Sequence, residues 1–365
     1  MADPIRILCV FSTLDRGGAE NMCMNLYRHI DRKKIQFDFV KHCQEVGAYE
    51  EEIASLGGRI FEAPRFTMYN FVSYSIWWKK FLLEHAEYKI IHGHFFTISA
   101  IYFRVAKQYG RITIGHIHAA SMKSRLKNFL VHKIKYYTDK ALACSEMAGK
   151  WAYGKEPFLV LKNAIDIESF RFNPSIRSEY RKEFGISDDE FVLGTVANLS
   201  SVKNPMGLID IFESLKKIHP QSRLLWIGEG NQRPIIEERL RKEKIDTSVI
   251  LLGSRDDVPN LLQAMDAFAF PSFNEGLGIA AVEAQAAGLE TFCSNTIPVE
   301  SKASELCHFL PLNNPKIWAE TILRLTINHK RQDMSIQIKN SGYDIHDTAA
   351  WLENMYLTLL NEVSS

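Results

Sequence analysis

Short apolar runs rich in β-branched residues, each followed by an amphipathic stretch of helical length, recur along the chain in two successive series. A strand that must pass through a helix before its neighbour pairs in parallel builds a βαβ unit, and repetition builds a sheet covered on both faces. The first series opens with a strand over 5–11, a helix over 18–30 and a strand over 35–40. It continues with strands over 90–94, 112–116, 141–144 and 159–162. Residues 168–187 then lapse into a charged stretch containing Pro174, which suits an interdomain connection. A second series follows, with strands over 191–197, 223–228, 249–253, 267–270, 291–294 and, more weakly, 308–312. The fold class is therefore α/β: two Rossmann-like, doubly wound parallel-sheet domains, 1–168 and 169–345. Ligands in such sheets bind beyond the carboxyl ends of the strands, so the expected active site is a cleft between facing domains.

A length of 365 residues exceeds what one core usually organises, in keeping with two domains. The balance of 44 basic against 43 acidic residues is that of a soluble globular protein and argues against a nucleic-acid binder. Six scattered cysteines show no C-x-x-C spacing and read as reduced, buried small hydrophobes. The opening MADPIRILCVF lacks the features of a secretory signal, and no uncharged apolar run reaches the roughly 18 residues that span a bilayer. The expected location is the cytoplasm, with contact at most to the inner face of a membrane.

The segment 270–288, FPSFNEGLGIAAVEAQAAG, carries the most chemistry. A strand ends in Pro271-Ser272, and a turn containing Gly276 and Gly278 leads into an Ala-rich helix. Such glycines let the backbone approach a ligand, and a helix N-terminus attracts anions, so a diphosphate fits. If the whole segment were helical, Glu275 and Glu283 would lie about 12 Å apart along its axis. That is too far to share one reacting atom but suits the two ends of an extended ligand, one carboxylate on sugar hydroxyls and the other on a ribose.

Two glutamates in this spacing after a strand ending in Pro-Ser resemble the signature of retaining GT-B glycosyltransferases of family 4, in particular the branch that builds capsular and exopolysaccharide repeat units. Gly17-Gly18-Ala19-Glu20, Cys144-Ser145-Glu146, Asn163-Ala164-Ile165-Asp166, Lys203-Asn204 and the segment from Gly253 to Val258 resemble further segments of that family in the same order. The resemblance implies a GT-B fold and transfer of a sugar from a nucleotide-sugar donor, UDP favoured, to a glycan or lipid-linked saccharide. Glu283 would hold the donor ribose and Glu275 the donor sugar, with backbone amides from Gly276, Leu277 and Gly278. Lys203 would neutralise the diphosphate, Gly17 and Gly18 would meet the donor phosphate, and Ser254 with Arg255 would border the base. The family histidine near the reacting carbon matches His118, with His116 as fallback. Where the family usually places an arginine this chain has Asn198, a neutral amide in place of a charged fork, which weakens the case for ordinary diphosphate binding. No metal or other cofactor is expected, because Lys203 and a helix N-terminus supply the positive potential that the leaving diphosphate needs. The final segment, 346–365, has apolar residues on helical faces and would pack back on the first domain, as the last helix does in the resembling fold.

Three other features admit more than one reading. His92, His94, His116 and His118 form two His-x-His pairs at the ends of successive strands, a possible transition-metal set that lacks a carboxylate or cysteine to complete it; polar cleft lining is the favoured reading. Residues 121–140 combine Lys123, Arg125, Lys127, Lys133, Lys135 and Lys140 with Phe129 and Tyr136, and 71–83 add Trp77, Trp78, Lys79 and Lys80. Such stretches suit an anionic membrane surface, or equally a solvated helix with its apolar side on the sheet. A nucleotide-sugar epimerase, an inactive donor-binding subunit and a zinc hydrolase are the competing functions. An isomerised donor, donor binding without transfer, and stoichiometric zinc would respectively favour them.

Overall fold

A computed structural model describes residues 3–95, 97–119 and 125–364, with 125–127, 363 and 364 given by their backbone alone. The chain divides into two compact units, Met1–Ile165 together with Asp344–Ser365, and Asp166–Tyr343.

The first unit is built on seven parallel strands: β1 (Ile5–Val10), β2 (Ile35–Lys41), β3 (Ile60–Glu62), β4 (Ile90–Gly93), β5 (Ile112–Ile117), β6 (Lys140–Ala143) and β7 (Leu159–Val160). Their order across the sheet is β3-β2-β1-β4-β5-β6-β7. The chain winds outward from β1 in one direction, returns, and winds outward from β4 in the other. The switch point thus lies between β1 and β4, and a crevice is expected beyond their carboxyl ends. Strand β3 is absent from the sequence reading: three edge residues, none fully buried, leave no apolar run to detect.

The helix Ile345–Ser364 belongs to the core of this unit. Ile345, Ala349, Leu352, Met355 and Tyr356 are buried in one cluster with Ile7, Phe37, Ile90 and Ile114 of the sheet and Leu26 and Tyr27 of the helix Gly18–His29. These five recur at three- and four-residue steps, so one stripe of the helix faces the core. Its start is pinned twice. Asp344 pairs with Ile165 in a parallel bridge, and the Asp344 carboxylate accepts from the backbone N–H of His346 at 2.9 Å and of Asp347 at 3.1 Å.

The second unit holds six parallel strands: β8 (Phe191–Val196), β9 (Ser222–Ile227), β10 (Val249–Gly253), β11 (Ala267–Phe270), β12 (Glu290–Ser294) and β13 (Cys307–Leu310). They run β10-β9-β8-β11-β12-β13, which places this sheet's switch point between β8 and β11. Trp226 and Trp318 are sealed in its core. Among the described residues no helix is long and apolar enough to cross a membrane.

The helix Phe71–Glu84 corrects one expectation. Trp78 is not available to an interface: it is fully buried and stacks on Tyr102 at 5.0 Å between centroids. Tyr74, Phe81 and Leu82 share its face, while Val72, Ile76 and Leu83, 69%, 58% and 59% exposed, form a second apolar stripe towards solvent. In the basic stretch, Phe129 and Tyr136 are exposed and flank the Lys133 ammonium at 5.0 and 5.3 Å. Lys123 lies outside the described residues, as do the side chains of Arg125 and Lys127.

Candidate functional site

Two loops at the switch point of the second unit carry most of the expected donor residues. The loop after β8 ends in a single turn, Ser201–Lys203, and then Asn204, whose left-handed φ of 53° starts the helix Pro205–Ile218. Asn204 caps that helix by accepting from Gly207 N–H at 3.1 Å and donates to the Pro271 carbonyl at 3.0 Å. Phe273 N–H donates to the Val202 carbonyl at 2.9 Å. The loops after β8 and β11 are thereby stitched together, and Lys203 meets Glu275 with its Nζ 2.6 Å from both carboxylate oxygens. The pair is largely buried, and the ammonium also sits 5.5 Å from the centre of the Phe270 ring.

The segment 270–288 is not wholly helical. Residues 271–278 form a loop, Gly278 takes φ +86°, and the helix spans Ile279–Ala286. A side chain at Gly278 would need that left-handed backbone and would press on Ser301 Oγ at 3.2 Å and the Phe270 ring at 3.3 Å. Glu275 therefore lies in the loop, with Gly276 and the buried Leu277 after it, and Glu283 lies in the helix. Burial alone pushes the Glu283 carboxyl up to about 7, with no counter-charge to bring it down. A desolvated carboxyl of this kind favours a partner that donates hydrogen bonds.

The remaining second-unit residues are placed less simply. Asn198 is exposed, and its side-chain oxygen accepts from Ser200 Oγ at 2.8 Å. Ser254 is exposed just beyond β10. Arg255 is not a free cation. It forks onto Asp257 at 2.5 and 2.7 Å, and that contact, aided by the Tyr180 hydroxyl, holds the Asp257 carboxyl at about 2.

In the first unit the residues after β1, β4 and β5 gather. Gly17 precedes the helix Gly18–His29, and a Cβ on it would collide with the Glu20 carboxylate, whereas Gly18 faces open space. Asn163 Nδ2 reaches the Gly18 carbonyl at 3.5 Å, joining two of the sequence segments quoted above. Glu20, in the first turn of that helix, lines a cavity of about 1090 Å³ together with Phe11, His42, Arg65, Phe66 and His94. Burial, reinforced by nearby Asp15, raises its carboxyl to about 7. Its signal in the sequence is an acid in the first turn directly after a glycine cap.

The four histidines form one cluster. His92, His94 and His116 are buried, while His118 keeps a partly exposed surface and shares a 2.9 Å hydrogen bond between its Nε2 and His94 Nδ1. Desolvation drives all four below their usual range, His92 and His118 to about 3, so the rings are neutral. Of the two candidates for the family histidine, only His118 is open to a ligand; His116 is sealed within the sheet. Cys144 and Ser145 are both buried, and Ser145 caps the helix Glu146–Tyr153 by accepting from Ala148 N–H at 3.2 Å.

Comparison with known proteins covers nearly the whole chain. Residues 16–169 match the family described as Glycosyltransferase Family 4, and residues 176–340 match Glycosyl transferases group 1. The putative glycosyltransferase EpsF of Bacillus subtilis (strain 168) is 33% identical over 368 residues, covering 96% of each chain. The Escherichia coli UDP-Gal:alpha-D-GlcNAc-diphosphoundecaprenol alpha-1,3-galactosyltransferase is 26% identical, covering 76% of this chain and 78% of its own. Among solved structures, HepE of Anabaena in complex with UDP-glucose superposes with a TM-score of 0.80 at 18% identity, covering 97% and 99% of the two chains. Two parallel doubly wound sheets, with both halves matched to transferase families and a full-length relative, place this chain in the GT-B glycosyltransferases of the group 1 and family 4 type.

Proposed function

We propose that this transferase moves a sugar from a UDP-sugar to a lipid-linked saccharide, with retention of configuration, in the assembly of a cell-surface polysaccharide. The observation that carries this reading is the Lys203–Glu275 pair at the switch point of the second sheet, with the unpaired, desolvated Glu283 in the following helix. Donor binding exchanges the pair: Lys203 turns from Glu275 to the diphosphate, and Glu275 takes the hydroxyls of the sugar. Glu283 takes the ribose. The amides at the start of the helix Ile279–Ala286 add positive potential for the phosphate. UDP and a diphospholipid acceptor are supported by the Escherichia coli galactosyltransferase and the UDP-glucose complex of HepE, and the polysaccharide context by the capsular polysaccharide biosynthesis glycosyltransferase CapH of Staphylococcus aureus, 22% identical.

As the bond from the anomeric carbon to the phosphate breaks, negative charge grows on the leaving diphosphate, where Lys203 is strongest. The acceptor oxygen bonds to the same face of that carbon, and its proton passes to the departing phosphate oxygen. Departure in this scheme uses no divalent cation, and His118 contacts the donor sugar. The outer stripe Val72, Ile76 and Leu83, with Lys79 and Lys80 between, meets the anionic bilayer that carries the acceptor. Proton NMR of the product tests retention: the anomeric configuration of the donor is expected in the new linkage, and its inversion rules the scheme out.

A further inference from the structure

We propose that His92, His94 and His116 hold one divalent transition-metal ion of the zinc class in the first unit. The inference does not depend on the donor or the acceptor. β4 and β5 are neighbours in register, His92 opposite Ile114 and Gly93 opposite Gly115, so both His-x-His pairs stand on one face of the sheet. One ring nitrogen from each of the three buried histidines lies within 4.8 Å of the other two. Their ring centroids are 4.2, 5.3 and 5.4 Å apart. Imidazoles bound at zinc–nitrogen distances around a tetrahedral ion place ring centres about 5 Å apart; the spacing already fits, and since the ring planes are only 10°, 29° and 38° from parallel, closing the set takes rotation of the rings in place.

The hydrogen bonding leaves ring nitrogens over on all three histidines. Tyr356 OH meets His92 Nδ1 at 2.6 Å and His118 meets His94 Nδ1, while Nε2 of both rings is buried without a partner among the described residues. The Leu161 backbone comes near His116, but neither His116 nitrogen reaches bonding geometry. Buried unpaired nitrogens on three neighbouring rings cost free energy that a shared cation removes. Neutral imidazoles need lose no proton to ligate, and a hydrogen bond to the far nitrogen is the usual support of a metal-bound histidine.

A competing set exists in Cys9 and Cys23 with His94, which the sequence spacing does not reveal. Each of those thiols must lose a proton to ligate, which neutral imidazoles need not do. The three-histidine set leaves a fourth position for water. It has one consequence for the neighbouring ring: His94 ligating through Nε2 keeps its proton on Nδ1, donates it to His118 Nε2, and so fixes the His118 proton on Nδ1.

The test is metal content of the full-length chain after incubation with zinc chloride and desalting, followed by cobalt substitution. About one zinc per chain is expected, falling at least tenfold in His92→Ala and His116→Ala, with affinity about 10–100-fold weaker in Tyr356→Phe. The cobalt form of the unsubstituted chain should show tetrahedral d–d absorption without a sulfur-to-metal band. Substoichiometric zinc in the unsubstituted chain, zinc retained by the histidine variants, or a thiolate charge-transfer band each overturns the assignment. Since no measurement uses a sugar donor, failure here is distinct from failure of the transfer scheme.

Discussion

In the proposed scheme Glu283 and Lys203 serve different stages of transfer, and substitution separates them. A ribose contact is present in both ground and transition states, so Glu283→Ala should raise the donor KM about tenfold or more while kcat changes little. Lys203→Ala should lower kcat by about 100-fold, more than it weakens donor binding, because the charge it meets grows during bond breaking. Steady-state kinetics with varied donor checks both. The Glu283 carboxyl adds a pH dependence. Its pKa is raised from 4.5 to about 7 by burial, so the protein keeps this group's full stability below pH 4.5 and loses it as pH rises through about 7. Glu283→Gln abolishes that loss and should stabilise the ligand-free protein at pH 8, by about 2 kcal/mol, with little effect at pH 4.5. Thermal unfolding at the two pH values decides it; equal shifts at both would contradict a desolvated, titrating Glu283.

At the scale of elements, the helix Ile345–Ser364 contributes five buried apolar side chains to the first unit. At about 1.5–3 kcal/mol for each of the four larger side chains and less for Ala349, their loss is comparable to the stability of an ordinary domain. Deletion after Asp344 should therefore remove the cooperative unfolding of the first unit in calorimetry and abolish transfer. Persistence of both would show the first sheet to be complete without the helix. The helix Phe71–Glu84 is apolar on two faces, and a helix of that kind ordinarily lacks solvent on either. Ile76→Glu, on the outer face, should leave thermal stability unchanged and reduce sedimentation with vesicles containing anionic lipid several-fold. Unaltered sedimentation would remove the membrane from the proposed function.

At the scale of the molecule, twelve of the thirteen strands among the described residues follow from apolar runs, because each is flanked by turn residues and by a helix of clear period. The edge strand β3 is too short to leave such a mark. Motif register marks Lys203, Glu275 and Glu283 as donor contacts, yet no local pattern shows that Lys203 and Glu275 bind each other, since 72 positions separate them. The same holds for Arg255, whose fork onto Asp257 is a matter of rotamers, and for Trp78, whose aromatic character suits an interface as well as a core. Cys9, Cys23 and His94 converge only through strand order. The central claim is that this chain releases UDP from a UDP-sugar by passing the sugar to a lipid-linked acceptor, with Lys203 stabilising the departing diphosphate. The direct measurement is UDP release from a panel of UDP-sugars, with and without diphosphoundecaprenol-linked saccharide. The account predicts acceptor-dependent release with at least one donor, undiminished by a chelator of free magnesium and manganese and about 100-fold slower in Lys203→Ala. No release with any donor of the panel, or equal release by Lys203→Ala, would contradict it.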